Sequence, residues 1–284
     1  MVEDRTLPGR LFDAVNRAVL LLLALAAVFP FVYVAVHSFS DSEGLLPRGW
    51  TLDAYRYIFS TRTLPRALLV SVGITVVGTL LSLALTALTA YPLSRKALAG
   101  RRIALFLVLF TILFSGGMIP TYFVVKNVGL IDSYWALVVP GAISSFNLIV
   151  MKNFFQQLPE GLEEAAKIDG ASEFGTFFRI VLPLSTPALA TFALFYAVSN
   201  WNEYVDAVLY INSTAKWPIQ VLMRNMIMMA GSSIGDSSEL AGGLVPPKSI
   251  RMAVIVVSTI PILLVYPFLQ KHFAQGLLLG SVKG

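Results

Sequence analysis

The stretch EEAAKIDGASEFGTFFRIVLP, residues 163–183, decides how the rest of the chain is read. It is charged and turns at a glycine, yet the runs on either side of it are oily. Glu160, Glu163, Glu164, Lys167, Asp169, Glu173 and Arg179 all fall between Pro159 and Pro183. Holding these groups at bilayer depth would cost on the order of 20 kcal/mol, at roughly 3 each. The segment therefore sits in water on one side of a membrane. Pro159 suits the first position of a helix. Glu160, Glu163 and Glu164 load its first turns, where the helix dipole favours anions. Glu160, Glu163, Glu164 and Lys167 share one face, and Leu162, Ala165, Ala166 and Asp169 share the other. The paired alanines flatten that second face, so another backbone can come close. Gly170 stands where a left-handed residue would end the helix. A second helix is expected over 172–182, with Phe174, Phe177, Phe178 and Val181 as its apolar stripe. Asp169 either caps it or is a solvated aspartate, and Pro183 closes it. A helix that only rests on headgroups should be basic. This one is net negative, which fits a docked protein partner better.

The flanking sequence belongs to a membrane protein. Of the 284 residues, 56% are hydrophobic and 13% charged, against about 25% charged in a soluble domain. Uncharged apolar runs occupy 18–36, 67–91, 103–125, 133–151, 180–202 and 252–270. A helix needs roughly 20 residues to cross the hydrocarbon, and each run is near that length. With their borders, six transmembrane helices are placed at 17–40, 66–92, 102–125, 133–155, 184–210 and 251–272. An aqueous loop at 156–183 and an outer segment at 211–250 complete an all-α integral membrane protein, read as one domain over 1–284. Pro30, Pro140 and Pro261 lie inside runs, as membrane helices tolerate. The first run has a signal-like Ala24-Leu25-Ala26 but continues to Val36, so it is read as an uncleaved anchor. Arg95, Lys96, Arg101 and Arg102 crowd one short loop and mark its side as cytoplasmic. Six spans put both termini on that side.

Several function classes are excluded. There is no cysteine, so no disulfide or thiol chemistry. His37 and His272 lie far apart at membrane borders and read as interfacial residues rather than metal ligands. The net charge of +5 is spread over helix ends, which does not suggest nucleic acid. GGLVPPKS, residues 242–249, has Pro247 where a phosphate loop needs its second glycine. With no catalytic constellation, no cofactor and no metal site, the chain is not read as an enzyme. A secondary carrier usually holds charges at the membrane midplane. Here only Glu203 and Asp206 approach a run, at the outer end of the fifth. The driving force should therefore come from another subunit, and a stand-alone ion-coupled carrier is the alternative. NWNEY, which is Asn200, Trp201, Asn202, Glu203 and Tyr204, offers the stacking rings, amides and carboxylate that sugars need. It is the candidate substrate pathway, or else an interfacial aromatic belt. In the outer segment a helix can start at Pro218. Met223, Met226, Met228 and Met229 there make either an adaptable contact surface or packing.

The opening stretch resembles the EAA loop of binding-protein-dependent ABC importer permeases. That pattern is Glu-Ala-Ala, three residues, Gly, nine residues, Ile, one residue, Leu-Pro. Glu164-Ala165-Ala166, Gly170, Ile180, Leu182 and Pro183 meet every spacing. Residues 116–155 and 261–284 resemble the sugar-importing branch, more narrowly the permeases of complex-oligosaccharide and polysaccharide importers. The smaller maltose-permease subunit is a more distant relative. Glu160 and Glu163 enlarge the acidic face beyond the pattern. The resemblance covers essentially the whole chain and implies a type I ABC importer permease for carbohydrate. It implies that Glu163, Glu164, Ala165, Ala166, Asp169, Gly170, Ile180, Leu182 and Pro183 belong to a cytoplasmic coupling helix seated in an ATPase cleft. It further implies alternating access in a bacterial inner (plasma) membrane. The partners would be a second, non-identical permease, two ATPase subunits that hydrolyse the ATP, an extracytoplasmic solute-binding protein, the sugar and membrane lipid. An ABC permease for another solute is the alternative within the class. The terminal GLLLGSVKG, by the same resemblance, corresponds to a tail that reaches the ATPase interface in the maltose relative, or else it is a free, frayed terminus.

Overall fold

The computed structural model describes residues 7–42, 44, 46–231 and 247–281. Among them the regular structure is helical, with one isolated antiparallel bridge between Ser40 and Trp50. The chain divides into two compact units, Met1–Arg62 with Asn225–Thr259, and Thr63–Arg224 with Ile260–Gly284.

In the first unit, helix α1 (Leu7–Ser38) carries the most apolar window of the chain, Leu11–Ser38, with mean hydropathy 2.8. Its 28 residues are more than long enough for a hydrocarbon core of about 30 Å. Residues 11–32 are exposed along its whole circumference, and only its end, at His37 and Ser38, is buried. Helix α2 (Asp53–Ser60) is started by Thr51, whose Oγ1 accepts from Asp53 N at 3.1 Å and donates to its carboxylate at 2.6 Å. Ser38 Oγ and Tyr55 OH, 2.7 Å apart, pin α2 to the end of α1. His37, expected at an interface, is instead buried, its ring 4.3 Å from that of Tyr33.

In the second unit the organiser is α3 (Thr63–Ser94). Small residues recur on one side of it: Ser71, Gly78, Ser82, Thr86 and Ala90 are all buried or closely covered. Spacing by seven and then by fours puts them in one stripe, and small side chains let a second helix backbone approach in a membrane. Two apolar cores form towards opposite ends of α3. One gathers Ile74 with Leu137, Tyr210 and Val221. The other gathers Ala87, Tyr91 and Leu93 with Met151, Phe155, Phe177 and Phe192.

Three later runs depart from single straight helices. Helices α4 (Arg101–Leu113) and α5 (Met118–Asn127) meet at 118° across 114–117, where Gly117 has φ +86°. The run expected at 133–155 is broken. It forms α6 (Trp135–Val138) and α7 (Ser145–Gln156), with non-helical backbone between them. Pro140 lacks an N–H and its ring clashes with the preceding turn, and Ser144 starts α7 as its cap. The exposed amide of Ser144 is satisfied by Tyr196 OH at 3.2 Å, which also bonds Thr86 Oγ1 at 2.7 Å. Irregular backbone at membrane depth needs such internal partners. The carbonyls at the end of α3 are likewise capped, Leu93 O by Arg101 Nε and Ser94 O by Gln156 Nε2.

The aqueous stretch holds α8 (Glu160–Ile168), α9 (Glu173–Thr176), a π-helical turn (Phe177–Val181) and the short α10 (Leu182–Leu184). Helix α11 (Thr186–Trp201) leaves it at an 81° bend and is followed, after a break, by α12 (Val205–Tyr210). Helix α13 (Ile219–Gly231) begins just after Pro218, as the sequence suggests, and α14 (Pro247–Ser281) is the last. Among the described residues three helices are long and apolar enough to cross a membrane, or up to five if each bent pair is one span. The fourth expected span falls on the broken run of α6 and α7. The side chains of His272 and Met229 and the three terminal residues 282–284 lie outside the described part of the chain.

Candidate functional site

The site is built on α8 and the turn and short helices after it. Gly170 has φ +79°, the left-handed conformation that glycine adopts freely. Ala171 N donates to Ala166 O at 2.9 Å, which closes the helix end in a Schellman turn. The cap of α9 is not Asp169, which is exposed. It is Ser172, whose Oγ accepts from Gly175 N at 3.1 Å. Serine outcompetes the aspartate here because it stands directly before the first helical turn.

The expected division of α8 into an acidic face and an alanine face is redrawn by packing. Glu163 and Ala166, three apart, turn inward and are 8% and 6% exposed. Leu162, Glu164, Ala165, Ile168 and Asp169 face outward, Ile168 at 85% exposure. Thus the two alanines do not act together: Ala166 meets its own chain and Ala165 is presented. Glu163 is not free for a partner either. Its carboxylate accepts from Arg95 Nη2, and the Arg95 guanidinium lies 4.5 Å above the ring of Tyr91. Tyr91 in turn packs on Phe177 at 4.9 Å and edge-on to Phe155 at 6.3 Å. In the sequence Arg95 counted only as one base of a topogenic cluster; nothing local to it signalled a pairing 68 positions away.

The second helix expected at 172–182 is interrupted by the π turn, which splits the phenylalanine stripe. Phe177 and Val181 are buried, whereas Phe174 and Phe178 are 71% and 55% exposed. Ile180 and Leu182 are half-buried and Pro183 is exposed. Tyr91, Arg95, Leu98, Glu173, Phe174 and Phe177 border an open, mainly apolar cleft of about 430 Å³.

The NWNEY residues part company. Asn200 is half-buried against α3, where Gly78 leaves room for its amide. Trp201 is buried. Asn202 is exposed, and Glu203 and Tyr204 are half-buried at the break between α11 and α12. Glu203 Oε1 accepts from Asp206 N at 3.0 Å and starts α12. Arg224, exposed on α13, stacks over Tyr204 with its Cζ 4.9 Å from the ring centre. The break supplies polar groups at one point of an otherwise apolar run, a feature that lines cavities in membrane carriers.

A further polar centre went unread in the sequence. Asp132, at φ +59°, accepts from Asn212 N, Ser213 N, Ser213 Oγ and Lys216 Nζ at 3.1, 2.9, 2.8 and 2.7 Å. It ties the loop before α6 to the loop after α12. The Lys216 hydrogen bond, with those from Ser213, holds its carboxyl well below the usual carboxylate range. A lone acid at the border of two oily runs was the only signal for it.

Residues 47–278 match the family model described as "Binding-protein-dependent transport system inner membrane component". The polygalacturonan/rhamnogalacturonan transport system permease protein YtcP of Bacillus subtilis is 57% identical over 97% of this chain and 99% of its own length. The lactose transport system permease protein LacG of Rhizobium radiobacter is 30% identical over 98% and 99%. A chain in the crystal structure of a bacterial ABC transporter involved in the import of the acidic polysaccharide alginate superposes with a TM-score of 0.88. It is 31% identical, over 94% of this chain and 98% of that one.

Proposed function

The chain belongs to the family of binding-protein-dependent transport system inner membrane components, and on that premise we propose that α8 is its ATPase-docking helix. The protein is a permease of an ABC importer for oligosaccharide or polysaccharide sugars. It is a transport component without a catalytic role, ATP being hydrolysed by a separate subunit. The observation that carries the docking proposal is the outward face of α8. Leu162, Ala165 and Ile168 form an exposed apolar edge beside Glu164 and Asp169, on a helix too short and too polar to be a span. An apolar helix edge with a charged margin is what a protein groove receives. Glu164, Ala165, Ala166 and the turn at Gly170 supply the pattern, while Ile180, Leu182 and Pro183 form the run that returns to the membrane.

The rest of the assembly rests on the same premise. A second, non-identical permease completes the pathway, two ATPase subunits bind on the α8 side, and an extracytoplasmic binding protein delivers the sugar. The basic loop at 95–102 supports a cytoplasmic position for α8 and both termini. The broken run of α6 and α7 counts as the sixth span, its irregular backbone satisfied internally. Asn202, Glu203 and Tyr204 contribute to the pathway, while Asn200 and Trp201 hold α11 in place. The names of the 57%-identical relative and of the alginate importer speak for a substrate with uronic-acid units.

The test is ATP-dependent uptake of a labelled oligogalacturonide, and of a neutral oligosaccharide, by vesicles holding the co-purified complex. Ile168→Glu is the variant of choice, because a side chain this exposed carries no weight in the permease fold itself. It should lower uptake by roughly tenfold or more while the permease still inserts. Uptake without ATP, or wild-type uptake by Ile168→Glu, would sink the docking proposal.

A further inference from the structure

We propose that Arg95 is a positioning residue for transport: its ion pair with Glu163 latches α8 to the end of α3, so that displacement of α8 is delivered to a membrane helix. The proposal rests on α8 being the ATPase-docking helix. Helix α8 has few other anchors. Of its described side chains only Glu163 and Ala166 are buried, and Gly170 then turns the chain away. A nine-residue helix held by one methyl group would slide rather than pull. The ion pair supplies the fixed point. Its side chains are 27% and 11% exposed, so a charge left without its partner there is poorly solvated.

Arginine suits this position for a geometric reason. Its planar guanidinium can lie on the Tyr91 ring with one face and meet the carboxylate with its edge. Tyr91 also touches Phe177 of the π turn and Phe155 of α7. One side chain therefore joins α3, α8 and, through the ring, the π turn and α7. Arg101 does not substitute for it, since its Nε is bonded to Leu93 O. The open cleft beside Arg95 leaves Phe174 and Glu173 room to shift when α8 is pushed.

The experiment measures sugar moved per ATP hydrolysed in vesicles holding the full complex. The variants are Arg95→Gln, Glu163→Gln, Arg95→Lys, and the exchange Arg95→Glu with Glu163→Arg. Arg95→Gln and Glu163→Gln should still hydrolyse ATP but move roughly five- to tenfold less sugar per ATP. The exchange should recover part of the ratio. Lysine, which keeps the charge but loses the stacking, should fall between wild type and Arg95→Gln. If a single variant does not assemble, Arg95→Gln with Glu163→Gln, which leaves neither charge unpaired, serves for the same comparison. A ratio unchanged in Arg95→Gln while Ile168→Glu loses uptake overturns the latch alone. Ratios unchanged in both overturn the docking reading and the latch with it. A ratio lowered in each single variant and not recovered by the exchange also overturns the latch, since the two residues then act separately.

Discussion

At the scale of single residues, a glycine of α3 is closely met by a side chain of α11. A Cβ built on Gly78 of α3 would lie 2.8 Å from Asn200 Nδ2 and 3.0 Å from its Cγ. Both the amide nitrogen and the carbon behind it are in the way, so the whole amide must move. Gly78→Val should therefore destabilise the permease by about 1–3 kcal/mol, the usual cost of overpacking. Asn200→Ala in the same chain should return much of that loss, because it empties the space the valine needs. Thermal inactivation midpoints of the four proteins in the cycle test this. If the two losses simply add, the residues do not share a contact surface. The NWNEY patch offered Asn200 as a pathway residue; its amide lies against Gly78 of α3.

At the scale of elements, the π turn at Phe177–Val181 accounts for why the aqueous stretch is not two plain helices. Such a turn carries one extra residue, and it lets Phe177 and Val181 reach the core while Phe174 and Phe178 stay outside. The hydroxyls of Thr176 and Ser185 flank it, buried and without a hydrogen-bond partner among the described residues. Deleting Arg179, which is exposed, removes that extra residue, so the turn should close as plain α-helix with the segments on either side kept in phase. Helix content by far-ultraviolet circular dichroism should be nearly unchanged and ATP-dependent uptake largely kept. Loss of uptake in the deletion variant would mean that the wide turn itself is needed.

At the scale of the whole molecule, loops far apart in sequence are joined by few polar centres, and Asp132 is the best satisfied of them. Its carboxyl titrates below the ordinary value of 3.8, so the folded state holds the ionised form more tightly than the unfolded chain does. The clamp's contribution is therefore complete above about pH 4 and declines as pH falls below that. Asp132→Asn keeps a side chain that tolerates the positive φ but removes the charge that Lys216 meets. Wild type should be the more stable protein at pH 6, and the gap should narrow towards pH 3, read as inactivation midpoints of the purified complex. A gap independent of pH would show that shape rather than charge holds the loop.

The sequence by itself determined that this is a helical membrane protein, that its charged stretch opens with a helix, and where that helix turns. Those features depend on local composition and spacing: uncharged runs, seven charges that a bilayer would reject, and a glycine where only a left-handed residue closes the helix. The EAA spacing pointed to the family for the same reason, since it is a pattern along the chain. Only the tertiary structure decided which way each side chain of α8 points, that Glu163 is taken by Arg95, and that Asn200 and Trp201 are packed away. It alone decided that the fourth run breaks at Pro140 around the hydroxyl of Tyr196. Each of these depends on a partner many turns distant, and helical periodicity carries no record of what stands opposite a face.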